Sequence, residues 1–338
     1  MLKNKLTGFR FSKRTKIILI LIMAAILLIL PLTPINRYVL SVIVLCFLYT
    51  SLTLSLNLII GWSGQFSLGH VAFYGMGAYI TTLLMMNLGL NFFIATIISV
   101  VVVAFISMLL CFPTLKLRGD YLAVVTLGFG EIFRLFITNQ VDWTRGPMGI
   151  PGIPAPTIFG ISIYGTETFY YILFALMVLF IIFMIRLNNS GFGLAMLTVK
   201  EDDIAATALG INPVKYKMWA FVIGGGMAAL MGSFYAVYLG TIGPTSFVYN
   251  ESIKMVSMVV LGGMGSVPGS VIGAFLLTAL PEVLRQFSQY RMILYGAAMV
   301  AMMIFRPNGI WGIDKRLRNE YKIKAMKGVK KNGESSRG

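Results

Sequence analysis

Ionisable side chains that fall within or beside apolar stretches come in pairs three residues apart: Glu131 with Arg134, Glu251 with Lys254, and Glu282 with Arg285. That spacing puts both partners on one face of a helix, where opposite charges neutralise each other. Glu131 and Arg134 read first as a structural ion pair facing a helix bundle, with substrate sensing or gating as the alternative. The other two pairs sit near the ends of apolar runs and read as interface pairs. The single histidine, His70, stands near Ser67 at the edge of an apolar run; it reads as a packing residue before a substrate contact, and no catalytic role is assigned to it. No Gly is followed directly by Lys, so the chain has no phosphate-cradling GxxxxGK[ST] loop of its own. There is no HExxH and no His/Asp/Ser grouping, which argues against a hydrolase and leaves no metal or cofactor site to propose. Two cysteines, Cys46 and Cys111, lie inside apolar runs without a CxxC or Cys/His neighbour and read as small packing residues.

The elements that carry these residues are set by composition. Of 338 residues 57% are hydrophobic and only 12% are charged, and the mean hydropathy is +0.83. Soluble domains carry roughly 25% charge, so a water-soluble globule is excluded. Thirty-five glycines on such a background suit packed membrane helices, whose backbones approach closely at small residues. The fold class is therefore all-α, a polytopic membrane helix bundle.

The formal charge of +16 raises nucleic acid as a partner, and its distribution argues against that. Residues 1–16 hold Lys3, Lys5, Arg10, Lys13, Arg14 and Lys16 with no acid, and the other basic concentration lies in 306–338. Basic tails flanking apolar segments follow the positive-inside pattern: both termini are expected in the cytoplasm and the number of spans is expected to be even. Attraction to anionic lipid headgroups accounts for the tails. The first apolar run, Ile17 to Leu30, is followed by Pro31, Leu32, Thr33 and Pro34 without a small-x-small cleavage site, and reads as an uncleaved span rather than a signal peptide.

Apolar runs with few or no charges, near the length that crosses about 30 Å of hydrocarbon, place spans at about 17–34, 38–60, 70–87, 91–114, 120–138 (which carries Glu131 and Arg134), 168–186, 218–240 and 292–305. From Tyr38 to Leu115 no charged residue occurs, so Gly, Pro and Asn clusters must mark the turns, with a basic corner at Lys116 and Arg118. Residues 252–285, broken at Gly262, Gly263, Gly265, Pro268 and Gly269, form either two short spans or one re-entrant hairpin, giving ten or eight spans in all. The membrane-spanning body thus covers 17–305, between a basic N-terminus (1–16) and a basic tail (306–338). Residues 139–166, rich in Gly and Pro, are expected as an external loop, and the polar segment 187–217 as a cytoplasmic loop. Within the latter, Thr198 and Glu201 have capping-box form, and Gly210 and Pro213 suit a helix end, so one short helix is expected there. Its alanines and Leu209 offer a low-profile face for a partner protein, the alternative being a turn resting on headgroups. Few proton-relay groups sit at membrane depth, which favours a carrier whose energy comes from elsewhere over an ion-coupled one.

Leu56, Asn57, Leu58, Gly61, Gly64, Ser67, Leu68, Gly69, His70, Ala72, Phe73, Gly75, Gly77, Ala78 and Tyr79 resemble the signature of permease subunits of branched-chain amino-acid ABC importers. Further blocks agree with the LivM branch of that family: Leu117 to Tyr121 with Glu131 and Arg134, Gly146 to Gly152, Ala205 with Ala206 and Gly210, Leu261 to Ser266 with Gly269 and Gly273, and Pro281 with Glu282. The resemblance covers about 35–310. It implies a type II-like importer permease of the bacterial cytoplasmic membrane, without an ATPase site of its own. Its implied partners are a second homologous permease, two cytoplasmic ATPase subunits that bind the ATP, an external substrate-binding protein, and a branched-chain amino acid as cargo. It further implies that Glu201, Asp202, Asp203, Ala205, Ala206, Leu209 and Gly210 form a coupling helix docked on the ATPase, with Ile204 standing where the general motif has Glu. Gly61, Gly64, Ser67, Gly69, His70, Gly75, Glu131, Arg134, Gly262, Gly263 and Gly265 are the candidate translocation pathway, ordinary helix packing being the other reading of the glycines. A urea or short-chain amide permease of the same family is the nearest alternative. An ion-coupled amino-acid carrier and a non-transporting scaffold are the alternatives from other classes.

Overall fold

The computed structural model describes residues 27–32, 36–115, 117, 119–158, 161–162, 165–283, 296, 300 and 309–311. The basic tails, most of the span expected at 17–34, the span expected at 292–305, the corner residues Lys116 and Arg118, and Arg285 lie outside them. Among the described residues six helices are long and apolar enough to cross a membrane. They are α1 (Arg37–Asn57, continued by a π-helical turn Leu58–Trp62), α2 (His70–Leu88), α3 (Phe92–Thr114), α4 (Asp120–Asn139), α5 (Thr166–Asn188) and α8 (Pro213–Leu239). Between α5 and α8 lie the short α6 (Gly191–Glu201) and α7 (Asp203–Ala208), and after α8 come α9 (Tyr249–Gly262) and α10 (Val267–Val283).

The charge-free stretch is cut into helices by the residues expected to do so. Asn36, Asn91 and Asn212 each accept a backbone N–H of the first turn of α1, α3 and α8, the usual role of an Asn N-cap. Gly89 and Gly240 end α2 and α8 in the left-handed conformation. The central helices are α1, α2 and α8, whose apolar windows are 67–78% buried, against 28–33% for α3, α4 and α5. A row of exposed apolar residues on α3, including Ile94, Ile97, Val101 and Phe105, is the surface such a helix presents to hydrocarbon.

Helices in lipid gain little from hydrophobic burial against one another and rely on close packing and interhelical hydrogen bonds. The contact between α2 and α8 shows both. A Cβ on Gly77 would collide with the Ala229 backbone, and one on Gly232 with the backbone at Tyr74 and Ala78. Beside this crossing Thr81 and Ser233 hydroxyls lie 2.6 Å apart, and Ser99 donates to the Gly77 carbonyl at 3.1 Å.

The 252–285 region is a hairpin of two short helices, α9 and α10, joined by a glycine-rich turn. α9 has 14 residues and α10 has 17, about 21 and 26 Å of helix at 1.5 Å per residue. They run antiparallel, packed backbone to backbone at Gly262, Gly269 and Gly273. Their depth is read from α1. The turn between them binds Asn57 and Trp62, the end of α10 brings Glu282 to the Tyr38 hydroxyl at the start of α1, and Glu251 in the first turn of α9 reaches only Tyr49, midway along it. So α10 follows nearly the whole of α1, and α9 only half. Ahead of α9 comes Thr241–Val248, which packs on α2 through Phe247 against Tyr74 and Tyr79 and whose strand Thr241–Ile242 pairs antiparallel with Ile150–Pro151 of the Gly/Pro-rich loop. That loop and the polar segment carrying α6 and α7 therefore lie at opposite ends of the bundle.

If the α2–α8 crossing depends on bare glycine, Gly232→Leu will lower the thermal unfolding midpoint of purified protein, reflecting overpacking of about 1–3 kcal/mol or more. Gly128→Ala, where nothing lies within 4 Å of the added Cβ and a helix interior favours Ala over Gly, will not lower the midpoint.

Candidate functional site: where the polar loop meets the helix breaks

The first signature segment and the glycine-rich turn, about 200 residues apart in sequence, meet in space. Asn57 Oδ1 accepts from the Gly265 amide at 2.8 Å, Asn57 Nδ2 donates to the Ser266 carbonyl at 3.3 Å, and Trp62 Nε1 donates to the Gly265 carbonyl at 2.9 Å. Broken backbone inside a bundle needs such partners, since no water is at hand. Gly61 leaves no room for a Cβ because Asn57 Oδ1 and Gly265 occupy the space, and Gly263 and Gly265 have positive φ, of 117° and 86°, which a side chain would strain. Gly309 returns to this turn, with Ile310 and Trp311 amides donating to the Leu261 and Gly262 carbonyls.

The polar loop closes the same junction. Lys200, at the end of α6, donates from Nζ to the Gly61 carbonyl at 2.5 Å, one of the last carbonyls of the α1 run. These have no partner within the helix and attract a cation. Gly64, with φ of 73°, turns the chain beneath the Lys200 side chain. Neither Lys200 nor the pairing of Asn57 and Trp62 is marked by the sequence reading. The available signals are an indole and a carboxamide inside a charge-free apolar run, each of which must find a partner when buried.

The loop itself differs from the expected single helix. Thr198 is not a cap; it lies inside α6 and its hydroxyl bonds the Leu194 carbonyl. The caps are Ser190, which accepts from Gly193, and Asp202, which accepts from the Ile204 and Ala205 amides. Two good N-caps on either side of Thr198 split the segment in two. α7 ends at Gly210, with φ of 77°, and is fastened to α8 by an ion pair of Asp203 and Lys217 at 2.6 Å. Ala206 is fully buried, whereas Ile204 and Leu209 are 78% and 72% exposed, and Ala205 is exposed beside them. Ile204 and Thr207 also border a groove of about 410 Å³ shared with Leu115, Pro213 and Val214. Glu201 and Asp202 lie exposed at the joint between the two helices.

The remaining candidate residues are placed elsewhere. His70 is fully buried at the start of α2, its Nε2 2.7 Å from the Ser55 hydroxyl; its Nδ1 and the buried Ser67 hydroxyl have no hydrogen-bond partner among the described residues. Gly69 lies against the Thr126 carbonyl of α4, and Gly75 against the Phe133 and Phe247 rings; all are close interior contacts. Glu131 and Arg134 form the expected ion pair, at 2.8 Å and about one-third exposed. Glu251 and Lys254, near the start of α9, lie beside Tyr49, midway along α1.

Replacing Asn57 with Leu orphans the Gly265 amide, at about 1–3 kcal/mol for an unpaired buried group, while the Ser266 carbonyl keeps its bonds from Ser270. Thermal unfolding of the purified variant will show a lowered midpoint, and cysteine accessibility at Met264→Cys beside the turn will rise.

Comparison with known proteins bears on what this arrangement is for. The model of the family described as branched-chain amino acid transport system / permease component matches residues 38–304. The "High-affinity branched-chain amino acid transport system permease protein LivM" of Escherichia coli (strain K12) is 37% identical over 82% of this chain and 70% of its own length. The probable LivM protein of Methanocaldococcus jannaschii is 24% identical over 66% of this chain and 69% of its own. The "Autoinducer 2 import system permease protein LsrC" of Yersinia pseudotuberculosis (serotype O:3, strain YPIII) is 24% identical over 58% of this chain and 57% of its own. No solved structure matches. With the family match spanning most of the chain, including the six membrane-length helices found among the described residues, and the signature segments meeting at one junction, the chain belongs to the permease component family of branched-chain amino acid transport systems.

Proposed function

We infer that the chain is a membrane-spanning permease subunit of an ATP-binding-cassette importer and passes branched-chain amino acids across the membrane, with ATP bound and hydrolysed on other chains. The observation that carries the reading is the 37% identity to the Escherichia coli LivM permease across 82% of the chain. The chemistry of the bundle agrees with it: the two helical ion pairs, Glu131 with Arg134 and Glu251 with Lys254, are self-neutralising rather than members of a proton relay.

On this reading the polar end bearing α6 and α7 faces the cytoplasm, as do the basic tails by the positive-inside rule, and the Gly/Pro-rich loop faces the external binding protein. The membrane is the bacterial cytoplasmic membrane. α7 is the coupling helix: the Asp203–Lys217 pair holds it on α8, and Ile204 and Leu209 project from it as apolar anchors for a groove on an ATPase subunit. Two such ATPases and a second permease would complete the assembly. Closing of the ATPases on ATP then moves α7, and through Lys200 the junction at Gly61 and Gly265.

Leu209→Glu tests the docking role. Uptake of radiolabelled leucine by cells carrying the full transporter should fall at least tenfold and the ATPase should no longer copurify, while insertion and thermal stability persist, because the changed side chain is exposed. Bulky replacements at Ala206 would confound the result, since that residue is buried. Uptake of urea in place of leucine by the unaltered transporter would redirect the substrate assignment, and leucine accumulation driven by an ion gradient without ATPase subunits would overturn the reading.

A further inference from the structure

We propose that Glu251 and Lys254 form a two-charge subsite that reads the ammonium and carboxylate groups of a zwitterionic amino acid on its way through the bundle. The proposal rests on the permease reading above. Glu251 Oε2 accepts from the Tyr49 hydroxyl at 2.8 Å, and Lys254 Nζ stands 4.0 Å above the centre of the Tyr49 ring. Tyr49 lies midway along α1 and is itself nearly buried, so both charges are held at mid-depth, where ionised groups are costly and line pathways or face partners.

The pair is open where the other one is closed. Arg134 Nε and Glu131 Oε2 are in hydrogen-bond contact at 2.8 Å. Lys254 Nζ and Glu251 Oε2 are 3.7 Å apart, beyond a hydrogen bond, although i,i+3 partners on a helix can close that gap. Among the described residues the Lys254 ammonium has this long ion pair and the ring beneath it but no hydrogen bond, leaving its three donors unused. Both side chains are 27% exposed, so they can be reached. The site sits at the break where Thr241–Val248 gives way to α9, the irregular backbone at membrane depth that is tolerated beside a cavity or pathway. A substrate carboxylate can take the Lys254 donors while its ammonium takes the Glu251 carboxylate, one zwitterion replacing one loose ion pair with no change in net charge.

The test uses the complete transporter in proteoliposomes, with ATP-driven leucine uptake, ATP hydrolysis and subunit copurification all measured. Glu251→Gln, Lys254→Met and the double variant should each reduce uptake at least tenfold while ATP hydrolysis and copurification stay within twofold. A merely structural pair behaves otherwise, because removing both charges together relieves the unpaired one: recovery of uptake in the double variant overturns the proposal, as does normal uptake in the single variants or a matching fall in ATP hydrolysis. Tyr49→Phe, which removes only the hydroxyl that orients Glu251, provides the decision if the charge variants do not assemble; a threefold or greater rise in the KM for uptake supports the subsite and an unchanged KM overturns it. Failure of the unaltered transporter to take up leucine would instead count against the permease reading.

Discussion

The structure depends on one constraint: where a helix breaks inside the bundle, the freed backbone groups must find partners within the protein. The π-helical turn at Leu58–Trp62 and the turn at Gly263–Ser266 are two such breaks: side chains of the first serve the second, and Lys200 serves the Gly61 carbonyl of the first. Asn57 and Trp62 supply the side-chain hydrogen bonds to Gly265 and Ser266, and bare Gly61 and Gly265 let the two backbones come close enough for those bonds to form. Glycine here has two distinct roles, absence of a Cβ at Gly61 and positive φ at Gly263 and Gly265.

The same logic explains which parts of the fold are legible in the sequence. The six long spans among the described residues follow from apolar runs poor in charge, and several of their ends from Asn caps and left-handed glycines, because those signals are local. The split of the polar loop is also local, yet its signal misleads. Thr198 and Glu201 satisfy a capping-box pattern, whereas Ser190 and Asp202 make the caps, and the pattern does not say which of several competent side chains is used. The hairpin at 252–285 is not legible, since whether a 14-residue helix begins at a membrane surface or halfway down is decided by the length of chain between α8 and α9 and its pairing with Ile150–Pro151.

For the site, the sequence yields residue types but not depth. Spacing of three puts Glu131 beside Arg134 and Glu251 beside Lys254 equally well; only the first pair closes, and only tertiary contact with Tyr49 sets the level of the second. Lys200 illustrates the same gap. A lysine beside three acids in a polar loop looks like part of a solvated face, and its bond to Gly61 becomes visible only when the end of α1 is placed next to α6. On α7, residue type even misleads: Ala205 and Ala206 look interchangeable, and the fold buries one and exposes the other.

These contacts join into one line. α7 is fixed to α8 by Asp203 and Lys217, α6 reaches the end of α1 through Lys200 and Gly61, Asn57 and Trp62 hold the turn at Gly265, and α9 runs from that turn back to Glu251 at mid-depth. A 14-residue helix is stiff over about 21 Å, so its two ends cannot shift independently along its axis. A push delivered at the polar loop therefore has a rigid route to the level of Tyr49, and it needs no titrating group on the way. Contact alone does not establish coupling; the line consists of one side-chain ion pair between α7 and α8 and of hydrogen bonds at two backbone breaks. A carrier built this way can leave both the chemistry and the energy to other chains and keep for itself only the geometry of the opening.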